Sequence, residues 1–232
     1  MVLTAMNGVP WWFFDGFGGR HAGLRLESVD PDGSIAARIP LRHVVGGVVH
    51  GSYAVVEPGV VRHIAGNGLI IGEPDGAITD RVRAVGTAFT EAGLDVTVTE
   101  SIQSLIWYKL WGNMTMNPIS ALTGATSDRI LDDPLVDRFC LDVMAEAARI
   151  GAAIGCPIEQ SGEDRNALTR RLGAFKTSML RDVEAGRPLE LDALVAVVRE
   201  IGEVVGEPTP AIDTLLGLAR LHARVHGLYP EQ

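Results

Sequence analysis

Near residue 99 the sequence changes its period, and a chain with two periods must build two kinds of layer. Up to Val98 the apolar residues come in short runs punctuated by Pro, Gly, Asn and Asp, while from Thr99 they recur every three or four positions. The first pattern is that of strands with some helix, the second that of helices packing on one another. The expected fold class is therefore α/β plus all-α, with one domain over residues 1–98 and an all-helical one over 99–232. At 47% hydrophobic residues in 232, the chain has material for a core in each.

Within the first part, Val2 to Met6 reads as a strand ending at an Asn7-Gly8 turn. Leu24–Val29 and Ser34–Ile39 are predicted to form a hairpin around Asp30-Pro31-Asp32-Gly33, because Pro presets φ and Gly accepts positive φ. Further strands are expected at His43–His50, Val60–Ala65 and Leu69–Ile71, with Pro58-Gly59 and Gly66-Asn67-Gly68 as turns. Ile78, Val82, Val85 and Phe89 then place a helix over Ala77–Ala92, stopped by Gly93, before a strand at Asp95–Val98. A chain that opens directly in a strand leads to the expectation of a fragment or an internal start.

In the second part, Thr99 or Ser101 is expected to cap a helix that Pro118 bends or ends. Helices follow over about Pro134–Gly155 and Asp164–Glu184. Pro188 suits the first position of another through Glu190, Leu194, Val198 and Ile201, and a last one runs from Pro210 to about His226.

A formal net charge of −9 without any basic run argues against a nucleic-acid surface. Cys140 and Cys156 match neither a redox pair nor a zinc knuckle and read as reduced structural thiols. With no signal-peptide pattern and no stretch of 18 apolar residues, a cytoplasmic protein is expected.

Chemistry concentrates on one helix. Lys109, Asn113 and Asn117 are spaced i, i+4, i+8 and share a face, among Leu105, Ile106, Trp107, Leu110, Trp111, Met114 and Met116. A desolvated lysine needs a partner and asparagine is a mediocre helix former, so the stripe has a cost that a site would explain. A buried structural network is the plainer reading. A lysine of this kind can bind a carboxylate or pass a proton, which suits a 2-oxo acid. Ser178 and Asp182 share a second face. Glu190 and Asp192 fall in the first turn of a following helix, where charge complementation alone could account for them. Gly66-Asn67-Gly68 with Gly72 is no dinucleotide fingerprint, since strands flank it on both sides. His222 and His226 lack a third ligand and read as a solvated face, with no metal expected. Trp11-Trp12-Phe13-Phe14 reads as core or subunit contact, with a wall over a substrate pocket as the alternative.

The order of motifs is more specific than any one of them. Asn7-Gly8-Val9-Pro10, Gly46-Gly47-Val48-Val49, Glu57-Pro58-Gly59-Val60-Val61-Arg62-His63, Lys109 with Asn113 and Asn117-Pro118, then Ser178-Met179-Leu180, Asp182, Gly186-Arg187 and Glu190-Leu191-Asp192 together resemble the ketopantoate reductase family. The resemblance implies the C-terminal part of a Rossmann-like NADP-binding domain followed by a helical substrate and dimerisation domain. It implies NADPH-dependent reduction of 2-dehydropantoate to (R)-pantoate, toward coenzyme A, and admits a homodimer. Lys109 would be the general acid, Asn7, Asn113, Asn117 and Ser178 would hold substrate, and Asn7, Ala54 and Glu190 would meet the cofactor. A typical member begins with a strand, a Gly-rich loop and a helix that cradle the NADPH phosphates, and this chain is expected to lack that part. Ser127 stands where the family carries a further substrate asparagine, and Val195-Ala196 where an Asn-Gly pair is common. A related reductase with another substrate, or a catalytically silent binding module, are the competing readings.

Overall fold

The computed structural model describes residues 1–231, which fall into two compact units. The first comprises residues 1–25 and 32–106; the second comprises residues 26–31 and the chain from Trp107 onward. The class is α/β followed by all-α, and the first unit is Rossmann-like in its parallel strand pairs and covering helix.

In the first unit β1 (Val2–Ala5), β2 (Val44–Glu57), β3 (Val60–Gly72) and β4 (Asp95–Val98) lie side by side in chain order. β1 is parallel to β2, β2 antiparallel to β3, and β3 parallel to β4. Helix α2 (Asp80–Glu91) closes one face, with Val82 joining Val45, Leu69 and Ile71 in a core. Its ends are locally encoded: Thr79 accepts the Val82 N–H, and Gly93 follows with φ 93°. The aromatic run is core, since Trp12, Phe13 and Phe14 are buried and Trp12 Nε1 donates to Thr4 Oγ1 at 3.1 Å. Gly46 lets this layer close, because a Cβ there would stand 2.7 Å from the Trp12 ring and 2.8 Å from Ile102.

Two expectations in this unit give way. No hairpin spans 24–39; instead Gly33, at φ 68°, leads into the short helix α1 (Ser34–Arg38), with Asp32 accepting the Ser34 N–H at 3.0 Å. The same Asp-Pro-Asp-Gly signal that turns a hairpin also starts a helix. The partner strand is lost because residues 26–31 join the other unit, where Glu200 accepts the Glu27 and Ser28 N–H groups at 2.7 and 2.9 Å. Nor does Gly66-Asn67-Gly68 end a strand. β3 runs through it, and the register against β2 slips between His50 and Ser52, where Gly66 takes φ 70°. A bulge absorbs the glycine that a turn would otherwise require. Pro58-Gly59 does turn the chain between β2 and β3, with Gly59 at φ 80°.

The helical elements are α3 (Ile102–Thr123), α4 (Ser127–Asp132), α5 (Pro134–Ala153), α6 (Gly162–Arg170), α7 (Ser178–Glu184), α8 (Val197–Val205) and α9 (Pro210–Val225). From Trp107 onward they belong to the second unit. α3 passes through Pro118 and continues to Thr123. Residues 117–120 are all buried, and tertiary packing outweighs the missing N–H. The expected helix over 164–184 divides, because Gly173 takes φ 65° and Thr177 starts a new helix by accepting the Leu180 N–H. Pro188 lies outside the next helix, which begins with a π-helical turn over Asp192–Ala196. Leu189 is drawn away from helical pairing by donating its N–H to the Leu228 carbonyl at 2.9 Å. α5 and α9 each start on a proline, as their sequences indicate. Both cysteines are buried thiols outside any disulfide, and burial pushes the Cys140 thiol up to about 12. Among the described residues no helix is long and apolar enough to cross a membrane.

Candidate active site

Every side chain of the stripe is delivered by the part of α3 in the second unit. The helix is apolar on nearly all sides, with Trp107, Leu110, Trp111 and Met114 buried, so the polar residues share what little face is left. Lys109 and Asn113 are half-buried, and Asn117 is buried at 5% exposure. The depth therefore increases along the stripe, from ammonium to second amide.

Lys109 carries the electrostatic signature of a working group. Burial holds its ammonium below the ordinary lysine range, and the Glu190 carboxylate pulls it part of the way back. Glu190 is exposed and immediately precedes Leu191 and the π-helical turn. A π-helical turn inserted at a helix start is a common companion of functional sites.

Asn117 is brought to Ser178, its Nδ2 lying 3.5 Å from the serine Oγ. That separation is at the outer limit of a hydrogen bond, so the amide is held lightly. Ser178 is exposed at the start of α7. Asp182 on the same short helix pairs with Arg187, at 2.8 Å from Nε and 2.7 Å from Nη2. Asp192 is occupied by the Tyr229 hydroxyl, whose own pKa is pushed up to about 12 by burial and by that bond. The plain structural role thus accounts for Asp192.

Asn7 and Ala54 belong to the first unit. Asn7 follows the carboxyl end of β1, at a bend opened by Gly8 at φ 77°. Ala54 lies much farther along β2, opposite Arg62, on the distal half of the hairpin. The structure does not bring these two together within the sheet register.

Ser127, which stands where the family has a further asparagine, has its hydroxyl turned to backbone: it donates toward the Gly173 and Phe175 carbonyls at 3.1 and 3.3 Å. It is 1% exposed. Val195 is buried in the core and Ala196 follows it in the π-helical turn. His222 and His226 stack with ring centroids 4.2 Å apart. The sequence gives no role to Ser120 or, within the cluster from Lys176 to Asp182, to Thr177; these are two buried hydroxyls 2.5 Å apart beside Asn117 and Ser178. A threonine directly before a helix is the usual capping signal and could have marked Thr177; Ser120 sits one turn beyond Asn117.

Comparison with known proteins shows what the chain as a whole is similar to. The C-terminal signature of ketopantoate reductase PanE/ApbA matches residues 101–223. A 2-dehydropantoate 2-reductase of Mesorhizobium japonicum is 44% identical over 228 residues, which is 98% of this chain and 70% of that protein. A solved candidate ketopantoate reductase of Ralstonia solanacearum is 63% identical, with a TM-score of 0.94 over 98% of this chain and 69% of its own. A solved 2-dehydropantoate 2-reductase of Methylococcus capsulatus is 30% identical, with a TM-score of 0.77 over 85% of this chain and 68% of its own.

Proposed function

This chain belongs to the ketopantoate reductase family, and from that premise we propose that it carries the proton-donating, substrate-holding half of an NADPH-dependent 2-oxo acid reductase acting on 2-dehydropantoate to give (R)-pantoate. The carrying observation is the stripe itself: a desolvated lysine in line with two amides, the deeper of which reaches a serine on another helix.

The residues suit the chemistry. A bound nicotinamide would supply the hydride that adds to C2 of the 2-oxo acid. As the carbonyl π electrons move to oxygen, the Lys109 ammonium gives that oxygen a proton and leaves as the neutral amine. A charge placed where negative charge develops favours the transition state over the ground state. Asn113, Asn117 and Ser178 provide donors that do not titrate at neutral pH and so hold the substrate's carboxylate and hydroxyl in either protonation state of the lysine. For the cofactor, Asn7 is well disposed, since it lies just past the carboxyl end of a parallel strand, where open α/β sheets take nucleotides. We assign Asn7, Ala54 and Glu190 to the cofactor side, Asn7 also to the junction with substrate.

NADPH oxidation with 2-dehydropantoate tests the reading. Lys109→Met is expected to cut kcat by roughly 10²- to 10⁴-fold, the usual worth of a positioned acid. Turnover that survives the substitution would remove Lys109 from the mechanism. Ser127 favours a second reading of the substrate. Its single proton is directed to backbone carbonyls, so the position offers no donor to a pantoyl hydroxyl, which suits a reductase for a different 2-oxo acid. A panel of 2-oxo acids ranked by kcat/KM decides between the two.

A further inference from the structure

Asn117 and Ser178 come from helices 61 residues apart in sequence, and the 3.5 Å contact between them is too weak to fix their separation. A stronger connection lies just behind it. Ser120 is fully buried on α3 and Thr177, 3% exposed, directly precedes Ser178. Their hydroxyl oxygens are 2.5 Å apart. Ser120 Oγ donates to the Asn117 carbonyl at 2.9 Å, and Thr177 Oγ1 accepts the Leu180 N–H at 3.1 Å.

Proton counting gives this network one direction. Each hydroxyl has a single proton, and that of Ser120 is taken by the Asn117 carbonyl. Thr177 must therefore be the donor between the two oxygens. The result is an unbroken series from Leu180 N–H to Thr177, to Ser120, to the Asn117 carbonyl, in which every buried polar atom is satisfied and each bond strengthens the next. It begins in the first turn of α7 and ends on the backbone of the residue whose amide faces Ser178. Ser127 fixes the preceding segment, since its N–H and hydroxyl both donate to the Phe175 carbonyl, at 3.0 and 3.3 Å.

We propose that Ser120 and Thr177 are positioning residues: their buried hydroxyl pair sets the distance between Asn117 and Ser178 and so tunes the site to the polar groups of the 2-oxo acid. This rests on the reading that Asn117 and Ser178 hold substrate. The pair touches no reacting atom and acts through the backbone of its neighbours.

The test is steady-state kinetics on the native enzyme with Ser120→Ala, Thr177→Val, Thr177→Ser and the Ser120→Ala/Thr177→Val double variant. Ser120→Ala and Thr177→Val should each raise KM for the 2-oxo acid roughly tenfold while kcat and KM for NADPH stay within about twofold. The double variant should be no worse than either single one, because both break the same series. Thr177→Ser, which keeps the hydroxyl, should restore KM. Unchanged KM with a lowered melting temperature, or fully additive losses in the double variant, would overturn the proposal. Asn117→Ala and Ser178→Ala separate the two levels. If these raise KM and the hydroxyl variants do not, positioning fails alone; if these leave KM unchanged, the substrate reading fails and takes the positioning role with it.

Discussion

Lys109 is a single residue on which activity and stability make opposite demands. As an acid it must hold its proton, so kcat/KM should fall as pH rises through a pKa that burial has already lowered. Glu190→Gln removes the carboxylate that raises it, and the alkaline limb of the pH–rate profile should move to lower pH; a limb that stays in place would show that Glu190 does not sense the ammonium. For stability the sign reverses. The unfolded lysine keeps its proton to about pH 10.4. Between the lowered folded pKa and that value the unfolded chain binds the extra proton, so stability should rise with pH across this window. Lys109→Met should accordingly melt at a higher temperature than the native protein while losing activity, a trade common at functional sites. Lys109, Asn113 and Asn117 were legible in the sequence because one helix spaces them. The Ser120–Thr177 pair was not, since its halves are 57 residues apart and each alone is an ordinary buried hydroxyl.

Elements read well where their ends are encoded locally. Thr79 and Gly93 bracket α2, and proline opens α5 and α9. They read badly where a distant group decides, as where the Leu228 carbonyl takes the Leu189 N–H and holds Pro188 outside the helix that follows. The start of α9 is locally marked by Pro210, and Glu146 in α5 reinforces it by accepting the Ala211 and Ile212 N–H groups at 2.9 and 3.0 Å. Glu146 is 6% exposed, so Glu146→Ala leaves one buried and one part-buried donor without their acceptor and should cost about 1–3 kcal/mol, read from denaturant unfolding, with faster amide exchange in the first turn of α9. Glu146→Gln retains one acceptor and should lose less. β2 makes the opposite kind of demand, for absence of a side chain. Gly46→Ala must displace both the Trp12 ring and Ile102 and should cost about 1–3 kcal/mol, measurable as a lower urea midpoint. The run Gly46-Gly47 was visible as a motif, but only the approach of Trp12 explains it.

On the scale of the whole molecule the distal β2–β3 hairpin stands out. Val55, Val61 and Ile64 are exposed on it, together with Tyr53, Val56 and Val60. A two-stranded ribbon with apolar residues open to water invites pairing with other chains. Val55 lies opposite Val61, so Val55→Lys with Val61→Glu places opposite charges across the ladder. This double variant should reduce concentration-dependent light scattering without lowering the melting temperature; unchanged scattering would exonerate the hairpin. The change of fold class near residue 99 was legible from periodicity, but the membership of residues 26–31 was not, because no local signal assigns six residues to a unit made mostly from the other half of the chain.

Those six residues make the helical unit discontinuous in the gene. Leu26 is fully buried, and each carboxylate oxygen of Glu200 accepts a backbone N–H, from positions 27 and 28. A polypeptide that starts anywhere between residues 32 and 107 therefore encodes the helices without a piece of their own interior. Limited proteolysis follows the same logic: release of the helical unit with its interior complete requires cuts on both sides of residues 26–31 and before Trp107. A gene segment that carried the helical unit whole would therefore have to encode residues 26–31 as well as the chain from Trp107 onward.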